Sequence, residues 1–240
     1  PVDPTKDKRF GGAFYAVSPA PDGSVWGSYL GLPGAVIRLV PGSNPPETAI
    51  AEVYEPPMNG TTPLNGGFSP RGMDIDRNGV VWTAMASGHM GSFDRRKCKG
   101  PLNGPKATGQ HCPEGWTFYP EPLPQMKGVT DSGSAEASYY TWVDQFNTSG
   151  LGANTPIDTG NGSDGLLALK DGKWVIFRVP YPNGFYTKWL DGRIDDPNAG
   201  WKGRGLWATV STRAPYHMET GKGTTSKVFH FQVRTNPLEK

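Results

Sequence analysis

This 240-residue chain has no long apolar run, no helical periodicity and no marked excess of one charge. No stretch approaches the roughly 20 consecutive apolar residues of a membrane-spanning helix, so the sequence predicts no membrane span. Lys and Arg number 24 and Asp and Glu 22, dispersed along the chain. Nucleic-acid binding usually needs a concentrated basic surface, so nucleic acid is not an expected partner. A Gly-x-Ser-x-Gly nucleophile motif is also absent from the sequence.

Turn-forming and aromatic residues are abundant instead. The chain has 33 Gly and 24 Pro, with 11% aromatic and 35% hydrophobic residues. Such a sequence turns often, yet it carries enough apolar surface to fill a core, unlike a disordered segment. Because no amphipathic run of helical length is present, these features predict one all-β domain.

Four tryptophans recur in strand-like surroundings along the chain. They are Trp26, Trp82, Trp142 and Trp207. The tight-turn dipeptides Asp22-Gly23 and Asn78-Gly79 stand before the first two, so each is expected to join a first strand to a tryptophan-bearing second strand. The last strand of each of the first three units ends in prolines, which cannot donate to a central ladder and fit a strand end. The four tryptophans are expected to pack between sheets.

This repetition predicts a β-propeller of four-stranded antiparallel blades, with about four blades visible in a single domain over residues 1–240. The predicted blades cover approximately residues 11–57, 68–124, 137–182 and 184–236. No fourth strand follows the last of these units. We therefore expect the chain to be part of a larger propeller with further blades; the alternative is a closed four-bladed ring completed by residues 1–10.

Cys98 and Cys112 are the two cysteines, and both lie in a Gly- and Pro-rich insertion of the second unit. A disulfide between them would close a loop worth roughly 3 kcal/mol of stability and would indicate an oxidising compartment. The alternative, a metal site with the adjacent His111, lacks a second ligand pair. The predicted location is therefore periplasmic or secreted.

The second unit carries the clearest family likeness. Its segment Ser69 to Thr83, SPRGMDIDRNGVVWT, resembles the blade motif of streptogramin lyase (virginiamycin B lyase)-like propellers. NHL-type and gluconolactonase-like propellers have similar blades. The resemblance implies a propeller fold and, for the lyases, a metal-supported elimination that uses His and Glu near the central axis. This chain departs from that pattern, because Arg71 stands where some family blades carry His and Met85 where they often carry Glu.

Two groups of polar residues are candidates for a site. His89 and His217, the latter close to Glu219, are expected in loops between second and third strands, on the face where the loops between blades emerge. Polar residues expected to share that face, in a ligand pocket or a weak metal site, are Arg71, Glu136, Arg213 and Tyr216. The second group has the oxygen ligands of a calcium loop without its spacing: Asp158, Asn161 and Asp164. The sequence shows a complete ligand set for no cofactor, and a divalent cation, Mg²⁺ or Ca²⁺, is the cofactor that it leaves open.

Two functions of different classes follow. The first is an extracytoplasmic, non-catalytic propeller that uses its loop face to bind a protein, a glycan or a small molecule. The second is a metal-dependent lyase or hydrolase acting at the propeller face, with His89, His217 and Glu219 as candidate catalytic residues. Binding of a divalent metal would favour the enzyme.

Overall fold

The computed structural model describes residues 13–45, 47–129, 133–181, 183–195, 197–198, 200, 203–210 and 227–232. Over these residues the chain forms successive antiparallel sheets connected in sequence order, which confirms the all-β class and the blade-like repetition. Three short 3₁₀ helices, at Leu64–Gly66, Arg95–Lys97 and Pro113–Gly115, interrupt the connections. None of the helices in the described ranges is long and apolar enough to span a membrane.

The first two sheets have the predicted four strands each. The first sheet contains β1 (Phe14–Pro19), β2 (Val25–Tyr29), β3 (Ala35–Val40) and β4 (Ile50–Tyr54). A small hairpin of β5 (Met58–Asn59) and β6 (Thr62–Pro63) follows. The second sheet contains β7 (Pro70–Ile75), β8 (Val81–Met85), β9 (His89–Phe93) and β10 (Trp116–Pro120). The Asp22-Gly23 and Asn78-Gly79 turns join first to second strands as expected, and Gly79 takes the positive φ of 79° that favours glycine.

The third and fourth sheets continue the pattern. The third contains β11 (Thr141–Asp144), β12 (Thr155–Gly160), β13 (Gly165–Lys170) and β14 (Lys173–Arg178). The three described strands of the fourth are β15 (Thr187–Arg193), β16 (Gly205–Val210) and β17 (Lys227–Phe231). The N-terminal stretch 1–10, the alternative source of an outer strand for the last blade, lies outside the described residues.

Trp142 occupies a different strand from the one its repeat position predicts. It lies in β11, the first strand of the third sheet, whereas Trp26, Trp82 and Trp207 lie in second strands. The second strand of the third sheet is β12, whose Asp158 the sequence predicted in a calcium-loop-like segment. Polar residues within β12 hid the strand pattern, although the strand is buried along its whole length. Beside Trp142, Gly192 of β15 packs so close to the indole ring that any side chain there would collide with it.

The apolar packing of the described residues is concentrated in two clusters. One lies between the first and second sheets and includes Trp26, Tyr54, Ile75 and Phe93. The other lies between the third and fourth sheets and includes Ile157, Leu166, Phe185, Leu190 and Leu206. Tyr140 packs against both clusters. The interface between the second and third sheets is more polar, and both sites discussed below involve it.

Cys98 and Cys112 form the predicted disulfide. It joins two segments of the long connection between β9 and β10, and Cys112 is itself buried in the first apolar cluster. Nearby, Arg95 pairs with Glu52 of the first sheet, with the Arg95 Nε 2.6 Å from Glu52 Oε2. The insertion is therefore fixed to the neighbouring sheet as well as to itself.

Candidate functional site

The first strands of the four sheets lie side by side and run in the same direction. Near their starts, the Gly72 N–H of β7 donates to the Tyr139 carbonyl just before β11, at 2.9 Å. Farther along, Asp74 of β7 accepts from Ser18 Oγ of β1 at 2.8 Å and from the Val143 N–H of β11 at 2.9 Å. The same order of contacts at two levels requires parallel neighbours. These strands hold the place of the innermost strands of a propeller, which surround its axis.

The starts of these strands bring aromatic and cationic side chains together at one end of the sheets. We call this group the inner rim: Tyr15 of β1, Arg71 of β7, Tyr139 before β11, and Tyr186 and Lys188 at the start of β15. The connections between sheets enter the first strands here, so the inner rim lies on the face where the sequence predicted a site.

Two cations lie over one ring of the inner rim. The guanidinium carbon of Arg71 is 4.5 Å, and the ammonium nitrogen of Lys188 is 4.7 Å, from the ring centroid of Tyr139. The Tyr186 ring packs against the same tyrosine with a centroid distance of 5.5 Å. Cation–π attraction holds each cation in place, but the two like charges beside one ring repel each other.

Arg71 is only partly satisfied by its neighbours. Its Nη1 donates to the Ser138 carbonyl at 2.8 Å, and no ion pair with a carboxylate is found for Arg71 or Lys188 among the described residues. Burial raises the pKa of Tyr15, and the nearby Arg71 charge opposes that rise. The Tyr15 phenol is therefore neutral at neutral pH, and the charge of the inner rim comes from Arg71 and Lys188.

Beneath the inner rim, between the second and third sheets, lies a group of buried carboxyl groups. Glu121 follows β10 and is 2% exposed, and Asp158 lies in β12 with no exposed surface. Glu136 Oε1 accepts from the Ala137 and Gly162 N–H groups, at 2.8 and 2.5 Å. Both oxygens of Glu121 and one oxygen each of Glu136 and Asp158 have no hydrogen-bond partner among the described residues.

The surroundings of Glu121 and Asp158 favour their protonated forms. Burial raises the pKa of Asp158 to about 7, against the hydrogen bond from the Thr141 hydroxyl and with some help from the charge of Glu136. Burial, followed by the charge of Asp158, raises the pKa of Glu121 well above its ordinary value. Two such carboxyl groups in contact retain a proton at neutral pH, since ionising both would place two buried charges together.

Ser138 connects the buried carboxyl groups to the inner rim. Its carbonyl accepts from Arg71, and its buried hydroxyl lies near Glu121. One level deeper along the first strands, Asp74 is also largely buried, and burial raises its pKa while its three hydrogen bonds oppose the rise. The cationic inner rim thus lies above a buried acidic layer.

The structure brings some of the predicted site residues together. Arg71 and Glu136 are linked through the segment 136–138, and Asp158 lies beside Glu121 in the carboxyl group just described. His89 is the first residue of β9, not part of a loop, because its backbone pairs with Met85 and with Pro120. It is fully buried, with Nδ1 3.0 Å from Ser87 Oγ. The predicted residues Arg213, Tyr216, His217 and Glu219 lie outside the described residues.

The three predicted calcium-loop residues make separate internal bonds. Asp158 accepts from the Thr141 hydroxyl, whereas Asp164 Oδ1 accepts from the Phe185 N–H at 2.9 Å. The Asn161 amide bonds to the backbone of Thr187 through both its oxygen and its nitrogen. Within the described ranges, no group of three or more His, Cys, Asp or Glu side chains is arranged to hold a metal ion. The cation site remains a prediction.

Tyr15, Tyr139, Tyr186, Lys188 and Glu121 were not among the sequence-based candidates, and three of them carry most of the chemistry of this region. Tyr139 and Lys188 gain their role only from contacts between neighbouring sheets, although both stand near the start of a first strand, as Arg71 does. Glu121 lies between Pro120 and Pro122 at the end of an outer strand, where the sequence suggests a solvated turn. A comparison of first-strand starts across the four units would have found Tyr139 and Lys188.

No protein-family model matches the chain, and no curated protein sequence matches it. Among solved structures, a catalytically inactive virginiamycin B lyase from Staphylococcus aureus with quinupristin is similar over 95% of this chain and 58% of that one, at 15% identity and a TM-score of 0.49. A selenomethionine-substituted virginiamycin B lyase from the same organism is similar over 92% of this chain and 55% of that one, at 15% identity and a TM-score of 0.46.

A third solved structure is the extracellular domain of a putative hybrid two-component system from B. thetaiotaomicron. It is similar over 95% of this chain and 32% of that one, at 14% identity and a TM-score of 0.36. The chain therefore spans a little over half the length of the lyases that it resembles. At these identities the likeness concerns the fold alone.

Proposed function

We propose that this chain is an extracytoplasmic, non-catalytic binding scaffold whose inner rim binds a small anionic ligand. The observation that carries the proposal is the pair of cations over Tyr139, for which the described residues supply no carboxylate. Two neighbouring cations without a counter-charge have a higher free energy than a pair that is bridged by an anion. A carboxylate or phosphate group at the inner rim would remove that repulsion.

The chemistry of the two side chains favours an oxyanion. Arg71 uses one guanidinium nitrogen for the Ser138 carbonyl, and this bond fixes the plane of the fork. Its remaining N–H groups match the geometry of a carboxylate or phosphate, to which Arg often binds with two parallel bonds. Lys188, which is exposed, adds a second charge without fixed geometry. The rings of Tyr15 and Tyr186 offer apolar surface to the body of the ligand.

The disulfide supports an extracytoplasmic location. Cys98 and Cys112 are the two cysteines of the chain and are paired with each other. Structural disulfides form and persist in oxidising compartments and are rare in the cytosol. Together with a ligand site on a repeated sheet scaffold, this favours a receptor or binding protein of the periplasm or the exterior.

Calorimetric titration with phosphate, acetate, benzoate and citrate tests the proposal. We expect at least one of these anions to bind with a Kd of about 1 mM or tighter, and its affinity to fall as salt is added. Arg71→Ala and Lys188→Ala should each weaken binding, with the arginine change costing about tenfold or more. Lys173→Ala, which removes an exposed lysine of β14, is the matched control and should leave the affinity unchanged.

Two results would refute this function. One is the absence of binding by all four anions at millimolar concentration in a chain whose circular dichroism shows intact sheets. The other is binding that Arg71→Ala and Lys173→Ala leave equally unchanged. Because Lys188 is exposed, its replacement tests the site without risk to the fold.

A further inference from the structure

A cavity lies at the opposite end of the sheets from the inner rim, between the second and third sheets. It has a volume of about 330 Å³, within the range of small-molecule sites. The stacked rings of Trp82 and Tyr119 form one wall, with centroids 5.9 Å apart and planes inclined by 27°. The facing wall comes from the third sheet and includes Asn154, Leu169 and Lys170.

The first interface between sheets shows what this cavity lacks. Trp26 and Tyr54 of the first sheet form the same stacked pair, at 6.0 Å and 22°. The strand register is also the same. In the first sheet Trp26 pairs with Arg38 and Tyr54 with Val36. In the second, Trp82 pairs with Ser92 and Tyr119 with Met90, so each tyrosine partner lies two residues before the tryptophan partner. The two aromatic pairs therefore occupy equivalent positions, and the first pair is buried in the apolar cluster.

One difference between the two interfaces is the residue that faces the aromatic pair, and the first pair is also covered by His111 of the disulfide-bonded insertion. In the first interface this residue is Phe93, whose ring centroid lies 4.5 Å from that of Tyr54. In the second sheet Phe93 of β9 pairs with Trp116, the first residue of the outer strand β10. In the third sheet the residue paired with the corresponding tryptophan, Trp174, is Leu169. The smaller side chain fills less of the interface, and the cavity lies at this position.

Polar groups surround the aromatic wall. Asp76 Oδ2 accepts from the Trp82 indole N–H at 3.3 Å, so the ring is held from its edge. Asn154 accepts from the Arg77 N–H through its Oδ1, which leaves its amide N–H groups without a described partner. Lys170, which is partly exposed, and Asp171, which is exposed, stand at the mouth of the cavity and pair with each other at 3.7 Å. A fixed aromatic surface edged with donors and acceptors thus faces a small open space.

We propose that this cavity is a carbohydrate-binding site for a single pyranose unit. The C–H face of a pyranose is apolar and stacks on an aromatic ring, while its hydroxyl groups donate and accept hydrogen bonds at the edge. The Trp82 and Tyr119 rings match the first requirement, and Asn154, Lys170 and Asp171 match the second. The site is separate from the inner rim and does not depend on the function proposed there.

The repeat itself supplies a sharp test. Leu169→Phe introduces the side chain that the first interface already accommodates at the equivalent position, so the variant is expected to fold and to fill the cavity. Saturation-transfer NMR with methyl glucoside, galactoside, mannoside and N-acetylglucosaminide, and with cellobiose and chitobiose, measures binding. We expect at least one sugar to bind with a Kd of ~10 mM or tighter, and Leu169→Phe to weaken the binding of that sugar about tenfold or more.

Further variants keep the proposal open to refutation if Leu169→Phe does not fold. Tyr119→Ala removes half of the aromatic wall and should reduce the signal by a similar factor, whereas Tyr181→Ala, at a tyrosine 76% exposed, should leave it unchanged. Failure of all six sugars to bind the native chain would overturn the proposal. So would a sugar signal that Tyr119→Ala leaves at the native level, which would assign it to another surface.

Discussion

Replacing Glu121 by glutamine should make the stability of this protein less sensitive to pH, while the part of the dependence that Asp158 contributes remains. In the native chain Glu121 and Asp158 are buried together, and both pKa values are raised, chiefly by burial. In the unfolded chain both groups titrate near pH 4, so between about pH 4 and 7 the folded state holds more protons than the unfolded state. Stability is therefore greatest at low pH and is lost as the pH rises through the folded-state pKa of Asp158.

The size of the effect follows from the Asp158 pKa. A carboxyl group whose pKa rises from 3.8 to about 7 lowers the free energy of unfolding by about 4 kcal/mol between pH 4 and the plateau above its folded pKa. Glu121 adds a further decrease in the same direction. Asp22, whose pKa is lowered to about 2, mainly by the Ser24 hydroxyl, acts in the opposite direction but only below about pH 4.

Glu121→Gln removes one of the two titrating groups and leaves a neutral amide beside Asp158. We expect the variant to match the native chain near about pH 4 and to exceed its unfolding free energy by about 2 kcal/mol at about pH 8. Urea unfolding at several pH values, with the disulfide intact, measures both curves. Glu47→Gln, at an exposed glutamate, is the control and should follow the native curve.

The reasoning fails if the native unfolding free energy is flat or rises between about pH 5 and 8. It also fails if Glu121→Gln retains the native slope, because the pH dependence would then arise elsewhere. In the first case the carboxyl groups would already be ionised in the folded chain, and in the second the dependence would come from Asp158 or from another group.

Three further changes should alter stability by different mechanisms. Cys98→Ser removes the disulfide and should lower the unfolding free energy by about 3 kcal/mol, with a reduced native sample giving the same value. Arg95→Ala leaves the buried Glu52 carboxylate with Tyr54, Arg38 and Asn103 as partners and should cost about 2 kcal/mol, which a thermal melt would detect; an unchanged melt would show that those partners suffice. Gly192→Ala forces a methyl group into the Trp142 ring and should destabilise by roughly 1–3 kcal/mol and shift the Trp142 emission; native stability would mean that the ring moves freely.

Much of the fold follows from local features of the sequence. The turn dipeptides before Trp26 and Trp82, the apolar alternation and the prolines after the outer strands were sufficient to predict the first two sheets. The third sheet was harder, since β12 carries Asp158 and Thr159 at positions where an exposed strand or a loop is expected. Burial of these residues depends on partners from β11 and from the second sheet, which no local pattern reports.

The candidate sites depended still more on contacts distant in sequence. Arg71 and Glu136 were predicted as polar residues of the loop face, but the significance of Arg71 comes from Tyr139 and Lys188, which belong to other sheets. His89 was expected in a loop and lies in a strand, because the turn after β8 is shorter than its glycine and serine suggest. Four further predicted residues lie outside the described ranges.

The sequence by itself determined the all-β class, the repeated sheets and the disulfide, since turns, alternation and paired cysteines act over short distances along the chain. Only the tertiary structure decided which side chains meet between sheets. It set two cations over one tyrosine ring, buried two carboxyl groups against each other and left a cavity where Leu169 stands in place of a phenylalanine. The physical reason is that packing between sheets depends on the size and charge of residues dozens of positions apart, and the pattern within any one strand does not encode them.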